Sequence, residues 1–319
     1  MKRVIGLKKP ELLIDAGSVE EIRRYMEAGA DAVLVGVHAF GLRLPGEVSA
    51  QELAGILPWV RERGGKVYVA VNRIMENGLL AELTDYVRSM HELGVDAFVF
   101  GDPAVLIALR SAGVSGVPLH WNAEMTSTNY ETARYWGRKG ATRMVLAREL
   151  NLEETLEIKR QFGDEMEVES QVHGITNIYH SKRSLLTNYG EHLGRSELRE
   201  LGTGLDEGLF LIEQERKDER FPIFEDASGT HVMSSDDICM LEGLNELMEG
   251  GIDSFKVESL LKSVEYNETV LRSYRKAIDA YVLDPEGYVF QEEWVDAIRE
   301  LQDPRRELSF GFFYKEQVY

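Results

Sequence analysis

Cysteine is nearly absent from this chain: Cys239 is the single one among 319 residues. That excludes an intrachain disulfide and any metal or cluster site built from the cysteines of one chain. Positive charge is also short, with 36 Lys and Arg against 55 Asp and Glu and a net charge of −19. So acidic a chain has no general attraction for a phosphate backbone. One cluster, Arg134, Arg138, Lys139 and Arg143, could still meet RNA, although a solvated helix face accounts for it more simply. No apolar run is long enough to span a membrane, so no membrane partner is expected. The first residues, MKRVIGLKKPELLIDAG, are basic but lack an apolar stretch before a cleavage site. No signal peptide is expected, and the expected compartment is cytoplasmic. The protease signatures HExxH and GxSxG are missing.

What is present is a steady alternation of short apolar strands and helices. Strands are predicted at Glu11–Asp15, Ala32–Val37, Lys66–Val71, Ala97–Phe100, Leu119–Trp121, Arg143–Ala147, from Met166, and at Ser254–Val257. Ser18 with Glu21, Ser49 with Glu52, and Asn151 with Glu154 have the spacing of helix capping boxes. Eight such strands, nearly all followed by a helix and without polar alternation, predict an α/β fold, a closed (β/α)8 TIM-like barrel. An open doubly wound sheet is the alternative. It would want a phosphate-binding turn after the first strand, and Asp15-Ala16-Gly17-Ser18 is not GxGxxG; Gly202, Gly204 and Gly208 follow no strand. The expectation is one barrel domain over residues 1–319, with a C-terminal tail from about 284 to 319.

The seventh strand breaks the regularity. Val168, Ser170 and Val172 alternate with Glu167, Glu169 and Gln171, and the pattern stops at His173-Gly174. A long irregular insertion is expected from about 177 to 235. After it, Asp236 or Asp237 is expected to cap a helix carrying Ile238, Leu241, Leu244, Leu247 and Met248, with Cys239 inside that pattern.

Barrel sites form at the C-terminal ends of strands. Those ends here offer Asp15, Arg43, Asn72, Asp102, Asn122, Arg148, His173 and Glu258. Singly they are unremarkable: Asp102 reads as a helix cap and Asn72 as a strand terminator. Together, several charged groups facing one mouth must be paired or bind something. Arg43 and Arg148 suit an anion, since guanidinium grips carboxylate or phosphate by two bonds. Glu169 and His173 are the candidate acid/base pair, with Glu258 as a further catalytic candidate. Their spacing of four puts Glu169 and His173 on one face of a strand, too far apart to bond without a bend. A buried histidine bonded to backbone is the plainer reading of His173. Lys256 shares a face with Glu258; a desolvated lysine can form a Schiff base, but an ion pair is the preferred reading. No metal site is expected, because His173, His180, His192 and His231 have no recognisable ligand spacing.

Taken together, GADAVLVG with FGLR, the run Val71–Asn77, GVDAFVFGDP, VLARELNLEE, VHG, MSSDDICML, GIDSFKVE with LKS, and GFFY resemble the collagenase-like peptidase family of unassigned catalytic type. The resemblance spans about Pro10 to Phe313. It implies a barrel, and relatives that are either peptidases or act in oxygen-independent hydroxylation of tRNA wobble uridine (with prephenate), ribosomal RNA and ubiquinone precursors. Those hydroxylating members carry a four-cysteine iron–sulfur cluster. Here Asn177 and Ser184 stand at two of the cysteine positions, Leu260 replaces the usual arginine after strand eight, and Pro45-Gly46-Glu47-Val48 replaces the run after FGLR. The chain resembles the shorter, cysteine-poor type. The resemblance therefore implies a subunit binding no cluster of its own, with prephenate as a co-substrate, a cluster-bearing paralogue as partner, and tRNA reached through that complex. A peptidase and a catalytically silent scaffold are the alternatives.

Overall fold

The computed structural model describes residues 8–122, 127–194 and 208–315. Eight strands run parallel in sequence order: β1 (Glu11–Asp15), β2 (Ala32–Val35), β3 (Lys66–Val71), β4 (Ala97–Phe100), β5 (Leu119–Trp121), β6 (Arg143–Val145), the first half of β7 (Glu167–Ser181), and β11 (Ser254–Val257). β11 pairs with both β7 and β1, which closes the sheet into a barrel with no free edge. The predicted (β/α)8 barrel is the observed fold, and the open sheet is excluded by that closure.

Register decides what faces inward. Leu12, Ile14, Val33, Val35, Val67 and Val69 point out, into the main core beneath the helices. Leu13, Ala32, Leu34, Tyr68, Ala70, Ala97 and Val99 point in and fill one side of the barrel. The helices lie outside: α1 (Val19–Glu27), α2 (Ala50–Glu62), α3 (Leu80–Leu93), α4 (Pro103–Ser111), α5 (Tyr130–Arg138), α6 (Leu152–Phe162) and α9 (Val264–Leu283). Ser49 with Glu52 and Asn151 with Glu154 close reciprocal capping boxes. At Ser18 the return bond goes one residue earlier, from Gly17 N–H to Glu21.

The insertion corrects two expectations. β7 does not end at His173-Gly174; it continues to Ser181, because its second half gains a partner absent from the local sequence pattern. That partner is β10 (Gly229–Cys239), running antiparallel, followed outward by β9 (Phe221–Asp226) and β8 (Leu209–Leu211). The helix α7 (Leu185–Leu193) covers this small sheet, with Leu186 and Leu209 packed on Phe221, Ile223 and Val232. Nor does a helix start at Asp236 or Asp237. Those residues, Ile238 and Cys239 end β10, and the helix α8 is only Leu244–Glu249. The apolar spacing there arises from a strand running into a turn and helix that bury into the same core.

The C-terminal segment carries α10 (Glu292–Arg299) and β12 (Leu308–Ser309), and β12 pairs with β10. Buried Asp237 fastens it, accepting from Arg306 at 2.8 Å, Lys262 at 2.5 Å and Gln302 at 2.7 Å. No helix among the described residues is long and apolar enough to cross a membrane.

Candidate functional site

The polar side chains inside the barrel form two layers. The lower one centres on Arg143, 2% exposed, which reaches Glu11 at 2.6 Å, Glu167 at 2.7 Å and Glu169 at 3.1 Å. Glu11 also accepts from Tyr68 (2.6 Å) and Lys66 (3.2 Å). Against burial, which raises it, Arg143 holds the Glu11 carboxyl down to about 2. Arg143 therefore leaves the basic surface cluster expected from the sequence; Arg134 pairs with Glu131 instead.

The upper layer is the mouth. A cavity of about 70 Å³ is lined by Arg43, Asn122, Arg148, Glu169, Lys256 and Glu258 among its polar groups, joined by Gln171 and Asn177. Ile175, Met233 and Leu260 roof it in apolar contact with Phe224 from the insertion. The tip of the β9–β10 hairpin reaches across, where the Ala227 carbonyl meets Arg73 and Lys182 pairs with Glu76. The insertion is thus a lid spanning the mouth.

Six of these candidate residues meet in this cavity, and Asp15 joins them through Lys256. Arg43 is held there at φ 50°, in the left-handed region that a branched or bulky residue enters only when its surroundings force it. Burial, joined by the neighbouring Arg148, lowers its pKa to about 10 against the opposing pull of Glu258 and Asp226. Burial lowers Arg148 too, against Glu149 and Glu258. Two guanidinium groups thus share the barrel mouth, Arg148 close enough to disfavour the charge on Arg43. Lys256 forms an ion pair with Asp15, whose other oxygen accepts from Ser259 at 2.5 Å. Burial lowers the pKa of Lys256 to about 8 against the pull of Glu258. Burial raises Glu169, which lines the cavity, to about 7, with Arg143 opposing.

Three candidates are elsewhere. Asn72 accepts from Leu42 N–H, and Asp102 caps α4 at Ala104 while accepting from Met75 N–H, so both shape loops rather than line the cavity. His173 is the main correction. Lys256 pairs with Gln171 but Val257 pairs with His173, so β7 carries one extra residue at this point. That bulge reverses the strand's in-and-out order and turns His173 outward, sharing a side with Val257. There it is fully buried, Nε2 at 2.9 Å from the Tyr266 hydroxyl, and burial lowers its pKa to about 3. Glu169 and His173 therefore form no pair, and the buried-histidine reading fits the geometry, with a tyrosine in place of backbone.

Sequence reasoning missed Gln171, whose amide donates to the Ile175 carbonyl at 3.1 Å and braces the bulge. It also missed Gly174, at φ 101°, where an added Cβ would lie 2.4 Å from the Glu258 carbonyl. The available signal was the position of both at the point where strand alternation fails. His180, whose placement the sequence left open, stacks on His231 at 4.7 Å within the lid, and His231 meets Asp226 at 3.1 Å.

The four-cysteine iron–sulfur cluster that the resemblance implies for hydroxylating members does not fit the residues of this chain. Four thiolates cannot come from one cysteine, and Cys239 is buried beneath Tyr274. Asn177 is buried in the cavity wall, and Ser184 precedes α7. Among the described residues no group of three His, Cys, Asp or Glu is placed to hold a metal ion.

The sequence model of peptidase family U32 matches residues 17–318. The tRNA hydroxylation protein P2 of Bacillus subtilis is 46% identical, with 98% of this chain and all of that protein aligned. The tRNA hydroxylation protein P1 of the same organism is 31% identical over the whole of this chain and 75% of its own length. Among solved structures, the U32 peptidase Mk0906 covers 79% of this chain and 93% of its own at 16% identity and a TM-score of 0.47. The chain belongs to peptidase family U32.

Proposed function

We propose that this protein takes part in tRNA hydroxylation as a subunit that binds a small carboxylate-bearing anion, with prephenate as the leading candidate, beside a cluster-bearing paralogue that supplies the redox chemistry. The observation that carries the reading is the convergence of Arg43 and Arg148 on one cavity with Lys256, in a chain whose relatives are named for tRNA hydroxylation. In this reading the arginines grip the carboxylates of the ligand. Glu258 lies among these cations and tempers their repulsion, and Glu169 gives or takes a proton at the cavity floor. The space of about 70 Å³ holds a few waters, whereas small-molecule sites run from about 300 Å³. Ligand entry therefore requires the insertion to lift.

The test is mass spectrometry of wobble uridines from a strain lacking only this gene, together with affinity purification of the tagged protein. Loss of 5-hydroxyuridine derivatives and recovery of a cysteine-bearing paralogue are the expected results. Normal modification with no paralogue recovered overturns the reading.

A further inference from the structure

A second groove, of about 440 Å³, lies outside the mouth between the lid sheet and the C-terminal segment. Arg148 lines both spaces, so the groove and the inner cavity adjoin at that side chain. Its walls combine cations with aromatic rings. Phe312 is 42% exposed, with the Lys315 ammonium 5.1 Å from its ring centre, and Arg220 adjoins Phe221 on the opposite wall. Phe310 and Tyr314 are exposed beside Phe312, giving three exposed rings in five residues. Four carboxylates also line the groove: Glu219 is engaged with Arg216 and Ser235, Asp236 with Ser309, and Asp218 and Glu307 complete the set. Among the described residues neither Arg220 nor Lys315 takes part in an ion pair. Arg148, Arg216, Arg220, Arg305 and Lys315 outnumber these carboxylates, a local excess of positive charge on a body of net charge −19.

We infer that this groove holds one unstacked nucleotide of a single-stranded RNA segment, its base on Phe312 and its phosphates on Arg220 and Lys315, with Arg148 at the passage to the inner cavity. Aromatic platforms beside cations are how single strands are held without base pairing. The inference rests on the tRNA reading above and adds where the RNA lies. It also places the contact on this chain, where the resemblance implied only contact through a partner complex.

The test is fluorescence anisotropy of the full chain with a labelled oligouridylate of about ten nucleotides. Phe312→Ala is expected to weaken binding by about fivefold or more. Arg220→Ala and Lys315→Ala are each expected to weaken it and to reduce the salt slope by about 0.7. Arg110→Ala, on exposed α4, is the control without effect. No binding at about 50 mM salt, or binding indifferent to the groove variants, overturns the inference. So does loss of a co-purifying protein from those variants with RNA binding intact. The deletion strain separates the two claims. Normal tRNA modification with groove-dependent RNA binding removes the functional reading alone. Full rescue by Phe312→Ala, with RNA binding unchanged, removes the groove alone.

Discussion

Arginine is buried at both ends of this barrel, with opposite results. At the lower end, against burial, Glu11 and Glu169 raise the pKa of Arg143, and three carboxylates lie within 3.1 Å of it. At the mouth, burial and mutual repulsion lower Arg43, and burial lowers Arg148. Equal burial gives opposite shifts because three carboxylates surround the lower arginine, whereas at the mouth the pull of Glu258 does not outweigh burial. The lower network holds strands β1, β6 and β7 together. The upper one gathers positive charge at the mouth, which the function proposed above assigns to an anion.

The comparison can be broken most decisively at Arg143. Arg143→Ala leaves Glu169 buried without its cation and Glu11 with Lys66 alone, and is expected to cost about 3–5 kcal/mol in urea unfolding. A loss under about 1 kcal/mol would erase the distinction between the two ends. At the mouth the effect should move from folding to binding. Arg148→Ala is expected to weaken prephenate binding in calorimetry by about 2 kcal/mol or more, with the urea midpoint nearly unchanged.

Glu169 bridges the two ends and sharpens the contrast through pH. Its folded pKa of about 7 lies above the model-peptide value of 4.5, so the folded state holds a proton that the unfolded state has released between those values. That contribution is complete below pH 4.5 and is lost as pH rises through about 7. Comparing urea midpoints at about pH 5 and about pH 8, Glu169→Gln should lose less stability than the wild type. Equal losses would place the titration elsewhere. The smallest effect is expected at His173, where His173→Gln should cost about 1 kcal/mol of stability and leave anion affinity unaltered. A tenfold affinity change would return His173 to the site.

The barrel was legible because its strands are local and apolar, their ends marked by caps such as Ser49 and Asn151. The mouth was legible as a set because strand ends share one rim, and that placed Arg43, Asn122, Arg148, Lys256 and Glu258 together. Asn72 and Asp102 sit at the same rim but turn to backbone amides, which depends on loop paths that sequence spacing does not encode. His173 was misdirected by a single inserted residue, since strand alternation carries no sign of a bulge until a partner strand counts against it. The lid was illegible for a related reason: β10 finds its partner, the second half of β7, some fifty residues back, as in the pairing of His231 with His180.

One strand, β7, belongs to both barrel and lid, joined at the bulge and Gly174, while Asp237 and β12 clasp the lid's other side. A cover built this way does not flap freely; it opens only when a continuous strand bends at one point and a buried ion pair gives way. Ligand capture should therefore be gated, with an observed rate that rises with ligand concentration and then levels off at the opening rate, on the microsecond-to-second scale of such motions. The concentration at which it levels would measure how tightly the barrel keeps its own door shut.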